Sequence, residues 1–314
     1  MSTSMHGYGS KSLLDRSVLE LLRGPGVLIA GLGLPGLAFA GPTGGDVVEG
    51  QAQISNPDTD TTQIDQASDR AIINWQTFNV GGTEYVIFNQ PSSSSVVLNR
   101  VVGGSPSAIF GTIEANGHVF LVNPQGIFFG QGATVDVQGL VASTLDVADA
   151  DFMAGHYAFS RNPDSPETAS VVNEGLIQAG DGGFVVLAGD YAENSGVIAA
   201  RTGFVVLGAS SAMTLDIDGD GLISYAVDAS TVSSMAGVAN IGSILADGSV
   251  VLMTADVAES LITTVVNQSG LIEAYAVEEQ DGVVYLGAEG GGVGMSGTIL
   301  ADHGTITMKA SGTT

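Results

Sequence analysis

The fold is decided by a phrase that the chain repeats, first as NEGLIQAGDGGFVVLAG at residues 173–189 and again as NSGVIAARTGFVVLGA at residues 194–209. Each copy contains a glycine, an apolar pair, a variable residue, an alanine, a polar turn and a run rich in β-branched residues. A recurring unit of this length is typical of a repeat architecture. The phrase returns, in whole or in part, as NIGSILADGSVVLMTA at 240–255, NQSGLIEAYA at 267–276, GVVYLGA at 282–288, GTIEANGHVFLVN at 111–123 and GTILADHGTITMKA at 297–310.

The spacing of this phrase predicts a parallel β-helix. Gly175 and Gly196 are 21 residues apart, while Gly242, Gly270 and Gly297 are separated by 28 and 27 residues. One coil of a β-helix needs about 20 residues, whereas a blade of a β-propeller needs about 40. The sequence therefore predicts an all-β, right-handed parallel β-helix, a single-stranded solenoid with an N-terminal capping region and small extra-helical hairpins. It would have roughly twelve coils and a length of about 60 Å.

Composition limits the partners of the chain. The 314 residues include 8 Lys and Arg against 33 Asp and Glu, which gives a formal net charge of −25. Such a surface repels nucleic acid phosphates, so we expect no nucleic-acid partner. The chain has no cysteine, so it contains neither a disulfide nor a thiolate metal site. After residue 41 the one segment with a weak helical pattern runs from Leu145 to Met153.

The first 40 residues have the pattern of an export signal. A long leading segment with basic residues precedes the apolar run VLIAGLGLPGLAF at residues 27–39. This run is too short, and too rich in glycine and proline, to be a membrane-spanning helix. It ends in Ala38-Phe39-Ala40, an A-x-A cleavage pattern. We therefore expect residues 1–40 to be an extended signal peptide that is cleaved after Ala40.

A resemblance becomes visible in residues 71–143, which contain AIINWQTFNVGG, VIFNQPSSSSVVLNRVVGG and FLVNPQGIFFGQGATVDVQGLVAST. This segment resembles the secretion domain of two-partner secretion exoproteins, also called the haemagglutination-activity or filamentous haemagglutinin N-terminal domain. The resemblance implies a secretion domain over 41–155, with cap and first coils, and continuing repeats over 156–314. It also implies export from a Gram-negative bacterium through an outer-membrane β-barrel transporter with periplasmic binding modules, to the cell surface or medium.

Asn123-Pro124-Gln125-Gly126 is the candidate secretion motif of this domain. Its residue types predict a turn, because Pro124 presets φ at the first central position and Gly126 permits a tight reversal of the chain. The resemblance implies a further role for the motif in export. The family turn usually has asparagine at the third place, where this chain has Gln125, which adopts a left-handed conformation less readily. A rigid corner and an export signal are compatible interpretations of the same four residues.

Two neighbouring strand residues, Asn99 and Arg100, are assigned to the secretion motif by the same resemblance. For Arg100 the residues favour a structural role, because a buried guanidinium needs several acceptors, such as turn carbonyls or a carboxylate. Trp75 and Phe78 are expected to cap the N-terminal end of the coil stack, where a β-helix exposes apolar core and open edges.

One segment, LDIDGDGLIS at residues 215–224, is similar to a calcium-binding loop. Asp216, Asp218 and Asp220 take the first ligand positions, but the acidic residue expected at the twelfth position is Val227. A polar hairpin between AMTL and LISYAV explains the same residues by the preference of Asp-Gly for turns. We therefore predict no metal site and no cofactor. The three aspartates are the weak candidate ligands that this prediction sets aside.

No enzymatic motif stands out, and the four histidines are scattered. The favoured interpretation is a non-enzymatic exoprotein with an adhesin-like or haemagglutinin-like surface role and a receptor on a host or neighbouring cell. One alternative is a β-helix enzyme that degrades polysaccharides, which would need basic residues or paired carboxylates on one face. The other is the N-terminal part of a larger contact-dependent toxin exoprotein.

Overall fold

The computed structural model describes residues 41–311, except 164, 167–168, 218–225, 228–236, 257–263, 277–280, 290 and 302. The predicted export signal, with Ala38 and Ala40, lies outside the described residues. Three stacks of parallel strands run side by side and form the walls of a β-helix. Two long strands, β11 (Thr134–Ser143) and β15 (Leu176–Gly189), continue without a break from the first stack into the second, so these two walls belong to one sheet.

Each stack follows the chain order, and its members are as follows. The first stack contains β3 (Thr61–Gln66), β5 (Tyr85–Asn89), β8 (Thr112–Ala115), the first part of β11 (Thr134–Ser143), the first part of β15 (Leu176–Gly189), β17 (Val197–Ala199), β22 (Ser243–Leu245), β25 (Leu271–Glu273) and β28 (Thr298–Leu300). The second contains β4 (Arg70–Trp75), β6 (Val96–Val101), β9 (His118–Val122), the second parts of β11 and β15, β18 (Phe204–Ala209), β23 (Val250–Asp256), β26 (Val283–Glu289) and β29 (Thr305–Ser311). The third contains β7 (Ser107–Ile109), β10 (Ile127–Phe129), β14 (Ser170–Asn173), β16 (Tyr191–Asn194), β21 (Gly237–Asn240), β24 (Thr264–Gln268) and β27 (Gly292–Met295).

The all-β parallel β-helix that the repeats predict is confirmed, but the expected number of coils is wrong. Within the described residues, the first and second stacks each have nine levels rather than twelve. Eight rises of about 4.8 Å give a stack of roughly 38 Å. The difference arises because some coils carry long insertions, so that the equivalent residues Asn194 and Asn240 are 46 residues apart.

Burial alternates along the short strands, and this explains the apolar pair in the repeat. The second member of each pair points inward, where Ile177, Ile198, Ile244 and Ile272 form a fully buried column across successive coils. Leu176, the first member in its coil, is 38% exposed. β-branched side chains suit such a column because they pack well on a pleated surface. The inner core is therefore continuous along the whole stack.

A column of glycines forms the corner between the third and first stacks. A Cβ on Gly196 would lie 2.2 Å from the carbonyl oxygen of Gly175, and a Cβ on Gly242 would lie 2.1 Å from the carbonyl oxygen of Gly196. The same two carbonyls accept hydrogen bonds from the N–H groups of Val197 and Ser243, each at 2.9 Å. No Cβ fits between coils at this distance, which is why the repeat keeps glycine here. The column continues through Gly270 and Gly297.

The N-terminal end of the helix is covered by two antiparallel strands. The strand β1 (Asp46–Glu49) pairs with β4, and β2 (Ala52–Ser55) pairs with β3, so the open edge of the first coil is closed. Trp75 and Phe78 are each 1% exposed and pack edge to face with ring centroids 5.6 Å apart. The prediction that these rings are themselves the cap is therefore wrong, because they fill the core of the first coil beneath the cap strands.

An outer layer packs against the second stack and has its own core. It contains the antiparallel strands β12 (Asp146–Val147), β13 (Tyr157–Ser160), β19 (Ala212–Leu215) and β20 (Ala226–Val227) and the short helix α1 (Asp149–Met153). The extra-helical hairpins and the weak helical segment are thus both present. Phe120 of β9 is central to this second core, where it contacts the rings of Phe152, Tyr157 and Phe159. Within the described residues, no helix has the length and hydropathy needed to cross a membrane.

Candidate functional site

The candidate secretion turn joins β9 to β10 and is tied to the preceding coil. The N–H of Gly126 donates to the carbonyl of Asn123 at 3.0 Å, which closes the turn. The side-chain Oδ1 of Asn123 accepts from the N–H of Gln125 at 2.9 Å. Its Nδ2 donates to the Ser105 carbonyl at 3.1 Å and to the Ser107 hydroxyl at 2.9 Å. One buried amide therefore fixes both its own turn and the chain of the coil before it.

The four residues of the turn differ in exposure. Asn123 is fully buried and Gly126 is also buried, while Pro124 and Gln125 are half-buried. Gly126 has a φ of +116°, and a Cβ there would lie 3.2 Å from the carbonyl oxygen of Ser170. Gln125 does not have a positive φ. The expected conflict at Gln125 is therefore absent, because Gly126 takes the positive φ itself.

Asn99 lies inside the β-helix rather than on its surface. Its side chain is fully buried in β6, where its Oδ1 accepts from the indole N–H of Trp75 at 3.0 Å. Its Nδ2 lies 3.4 Å from the carbonyl oxygen of Phe120 in the next coil. This arrangement satisfies the buried indole and links two coils.

Arg100 fastens the outer layer to the second stack. Its Nε donates to Asp146 at 2.8 Å, one terminal nitrogen to Asp149 at 2.7 Å, and the other to the Val147 carbonyl at 2.6 Å. Its side chain is only 12% exposed. Burial opposes the charge of the guanidinium, but Asp146 and Asp149 outweigh it and raise the pKa of Arg100. The structure thus gives Arg100 both the carboxylate and the carbonyl acceptors that the sequence predicts.

Replacing Arg100 should loosen the outer layer. We expect Arg100→Met to lower the free energy of unfolding by about 2 kcal/mol, because Asp146 and the Val147 carbonyl lose a charged donor while the partial exposure of the aspartates limits the loss. Thermal melts check the change, and proteolysis within residues 144–160 checks its location. Arg201→Met, at an exposed arginine, is the matched control and should melt like the unaltered protein. Equal melting of the two variants would contradict the prediction.

A ladder of buried amides is a feature that sequence reasoning missed. Asn173, Asn194, Asn240 and Gln268 follow one another at the end of the third stack, and each is fully buried. Each of the first three donates its Nδ2 to the side-chain oxygen of the next at 2.8 Å. In this coil the repeated phrase begins at Asn267, but the register of the strands places Gln268 opposite Asn240. A signal is present in the sequence, since each member stands two residues before a corner glycine.

The calcium candidate falls largely outside the described residues. Asp216 is exposed, whereas Asp218 and Asp220 are among the residues that the structure does not describe. The alternative hairpin has support, because β19 pairs antiparallel with β20, with Met213 opposite Val227. Among the described residues no three His, Cys, Asp or Glu side chains are grouped so that they could hold a metal ion.

Comparison with known proteins agrees with this architecture. The family model described as TPS secretion domain matches residues 38–300. Two heme/hemopexin-binding proteins of Haemophilus influenzae are 36% identical over 200 residues (62% of this chain) and 34% identical over 265 residues (77% of this chain). The matches cover 22% and 28% of those proteins, so the chain spans about a quarter of their length. The crystal structure of the HMW1 secretion domain from Haemophilus influenzae aligns with a TM-score of 0.74 at 31% identity, covering 86% of this chain and 73% of that one. The chain therefore belongs to the TPS secretion domain family, the export domains of two-partner secretion exoproteins.

Proposed function

We infer that the domain directs its own export, and that the turn at Asn123 acts through folding at the cell surface. Membership of the family implies a cognate outer-membrane β-barrel transporter and a route through the periplasm of a Gram-negative bacterium. The partner we propose carries periplasmic binding modules, and a signal peptide of residues 1–40 starts the route. The division into a secretion domain at 41–155 and continuing repeats at 156–314 stays part of this proposal.

The observation that carries the proposal is the burial of Asn123 and its hydrogen bonds into the preceding coil. A chain that emerges from a barrel must form each coil on the one before it, because a coil gains its stability from its neighbours. A buried side chain cannot contact a transporter once the domain has folded. The asparagine therefore supports export best by closing the turn early, and a transporter that reads the folded turn would have to contact Pro124 or Gln125.

Three variants of the turn distinguish folding from surface contact. We expect Asn123→Ala and Gly126→Val to reduce secretion severalfold. The first variant loses the hydrogen bonds of the Asn123 side-chain amide, and the second places a β-branched residue at positive φ. Gln125→Ala should be secreted normally, since the hydrogen bonds of the turn use the backbone of Gln125. The measurement is the yield in the culture supernatant with the transporter present, compared with the melting temperature of each variant refolded in vitro.

The pattern of losses decides between the two interpretations. A loss with Gln125→Ala alone would favour a contact with the folded turn, and normal secretion of Asn123→Ala would leave the turn a structural corner. Asn56→Ala is the matched control, because this amide is exposed and bonds near the N-terminal cap, to Thr61 and Thr62. It should be exported at the level of the unaltered protein.

The surface role that we propose is non-enzymatic binding to a host or neighbouring cell, as an adhesin or haemagglutinin would bind. The matched relatives are named for binding, not for a reaction, and this supports the choice over a polysaccharide-degrading enzyme. Their name makes heme and hemopexin the first ligands to test. Surface plasmon resonance with immobilised exported protein tests the binding of hemopexin. No response at micromolar hemopexin would contradict hemopexin as a ligand of this chain. A role as the N-terminal part of a contact-dependent toxin exoprotein is the remaining alternative.

A further inference from the structure

The backbone nitrogen of Gly41 lies against a carboxylate. It donates to Oε1 of Glu84 at 3.1 Å, and Glu84 uses its other oxygen, Oε2, to accept from the N–H of Gly81 at 2.6 Å. Glu84 is half-buried, and so is Gly41. The carboxylate is therefore already held in place by its own loop through Oε2, and its Oε1 contacts the residue that signal cleavage would turn into the N-terminus.

The surroundings form a small site at the N-terminal end of the β-helix. A cavity of about 230 Å³ is lined by Gly41, Pro42, Thr43, Asn56, the segment 59–62 and Glu84. Position 41 has little room for a side chain, because a Cβ there would lie 3.0 Å from the hydroxyl of Thr62. Glycine thus lets the main chain approach closely. Asp60 and Glu84 are the titratable groups in the lining, so the site carries negative charge and no cation of its own.

We propose that this site captures the α-ammonium group of Gly41 after the signal peptide is removed. The proposal rests on cleavage after Ala40. Hydrolysis of the peptide bond between Ala40 and Gly41 adds water, leaves a carboxylate on Ala40 and frees an amine on Gly41, which takes up a proton at neutral pH. The neutral amide that donates to Glu84 before cleavage then becomes a cation with three donors.

Capture would couple processing to closure of the first coil. The main chain of Glu84 belongs to the loop before β5, and its carbonyl accepts from the N–H of Thr112 in the next coil at 2.9 Å. An ammonium bound to Glu84 therefore fastens the start of the mature chain to two successive coils. A charge-assisted hydrogen bond from the ammonium group is stronger than the hydrogen bond from the neutral N–H that it replaces. The pre-positioned carboxylate also reduces the entropy lost in forming it. The mature protein is held at this end more firmly than its precursor.

Reactivity of the amine in the exported protein tests the proposal. Intact mass first determines whether the chain begins at Gly41. An amine-reactive reagent then labels the α-amine over a range of pH, with Lys309 as internal reference. Pairing with the negatively charged Glu84 should raise the pKa of the amine and slow its labelling near neutral pH roughly tenfold. The associated stability is present below the ordinary pKa of an α-amine and is lost as pH rises through the raised value.

Two variants and one control complete the test. Glu84→Gln keeps an acceptor for Gly81 but removes the charge, and one alanine added ahead of Gly41 moves the ammonium out of the site. Both should restore ordinary labelling, while Glu114→Gln, at an exposed strand position, should stay slow. Rapid labelling of the unaltered protein, or a mature chain that begins elsewhere, would overturn the proposal. Export is read separately from the secreted yield, so a negative result here leaves the proposed export function standing.

Discussion

Gly242→Ala is expected to cause a large loss of stability, because it adds a methyl group where two coils are in contact. A Cβ at position 242 would lie 2.1 Å from the carbonyl oxygen of Gly196, and the N–H of Ser243 donates to that same oxygen at 2.9 Å. A Cβ cannot be placed without separating the two coils, which also breaks this hydrogen bond. We expect a loss on the order of 4 kcal/mol, with a fall in melting temperature of about 10 °C.

The control for this prediction is a glycine with open space around it. An added Cβ at Gly82 would meet nothing within 4 Å, and its φ is not positive, so Gly82→Ala should change the melting temperature by no more than about 1–2 °C. Hydrogen exchange of the Gly242→Ala variant should show its earliest loss of protection in β17 and β22, because these strands belong to the two coils that the added methyl group separates. Similar melting of the two variants would mean that the corner does not set the coil spacing.

This corner also shows why the fold could be predicted from the sequence. The glycine is required by a contact between neighbouring coils, so it recurs once per coil and its spacing reports the length of the coil. The buried column that contains Ile177 also arises from contacts between neighbouring coils, so its residues likewise recur once per coil and can be recognised in the sequence. Both are consequences of local geometry that every level repeats, and for this reason the β-helix could be inferred without any structure.

Features made by residues distant in sequence were not accessible in this way. Arg100 meets Asp146 across 46 residues, and the sequence indicates that it needs acceptors but not which ones. The outer core around Phe120 forms because insertions fold back over the second stack, and these insertions also reduced the number of coils below the estimate. The buried state of Asn123 depends on Ser105 and Ser107, which no turn preference identifies.

Asn194→Leu is the second prediction with a large effect, and it concerns the amide ladder. Asn194 is fully buried, accepts from Nδ2 of Asn173 and donates to Oδ1 of Asn240, both at 2.8 Å. Leucine has a similar volume but offers neither group, so a donor and an acceptor lose their partners in a dry interior. Each orphaned group costs about 1–3 kcal/mol, and we expect a total loss of about 3 kcal/mol in the free energy of unfolding.

The matched control is Asn267→Leu, at a half-buried residue whose neighbour Gln268 occupies the ladder. It should cost less than about 0.5 kcal/mol. Circular dichroism during denaturant titration measures both variants, and equal losses would show that the ladder contributes no more than a surface amide.

A double variant separates the bonds of the ladder from the general burial of amides. In Asn194→Leu the side-chain Oδ1 of Asn240 stays buried but loses its hydrogen-bond donor. When Asn240→Leu is added, that orphaned acceptor is removed together with its cost. The destabilisation of the double variant should therefore be smaller than the sum of the two single losses, by about 1–2 kcal/mol. Strict additivity would mean that the two amides are stabilised independently, with the hydrogen bond between their side chains contributing nothing to the register of the coils.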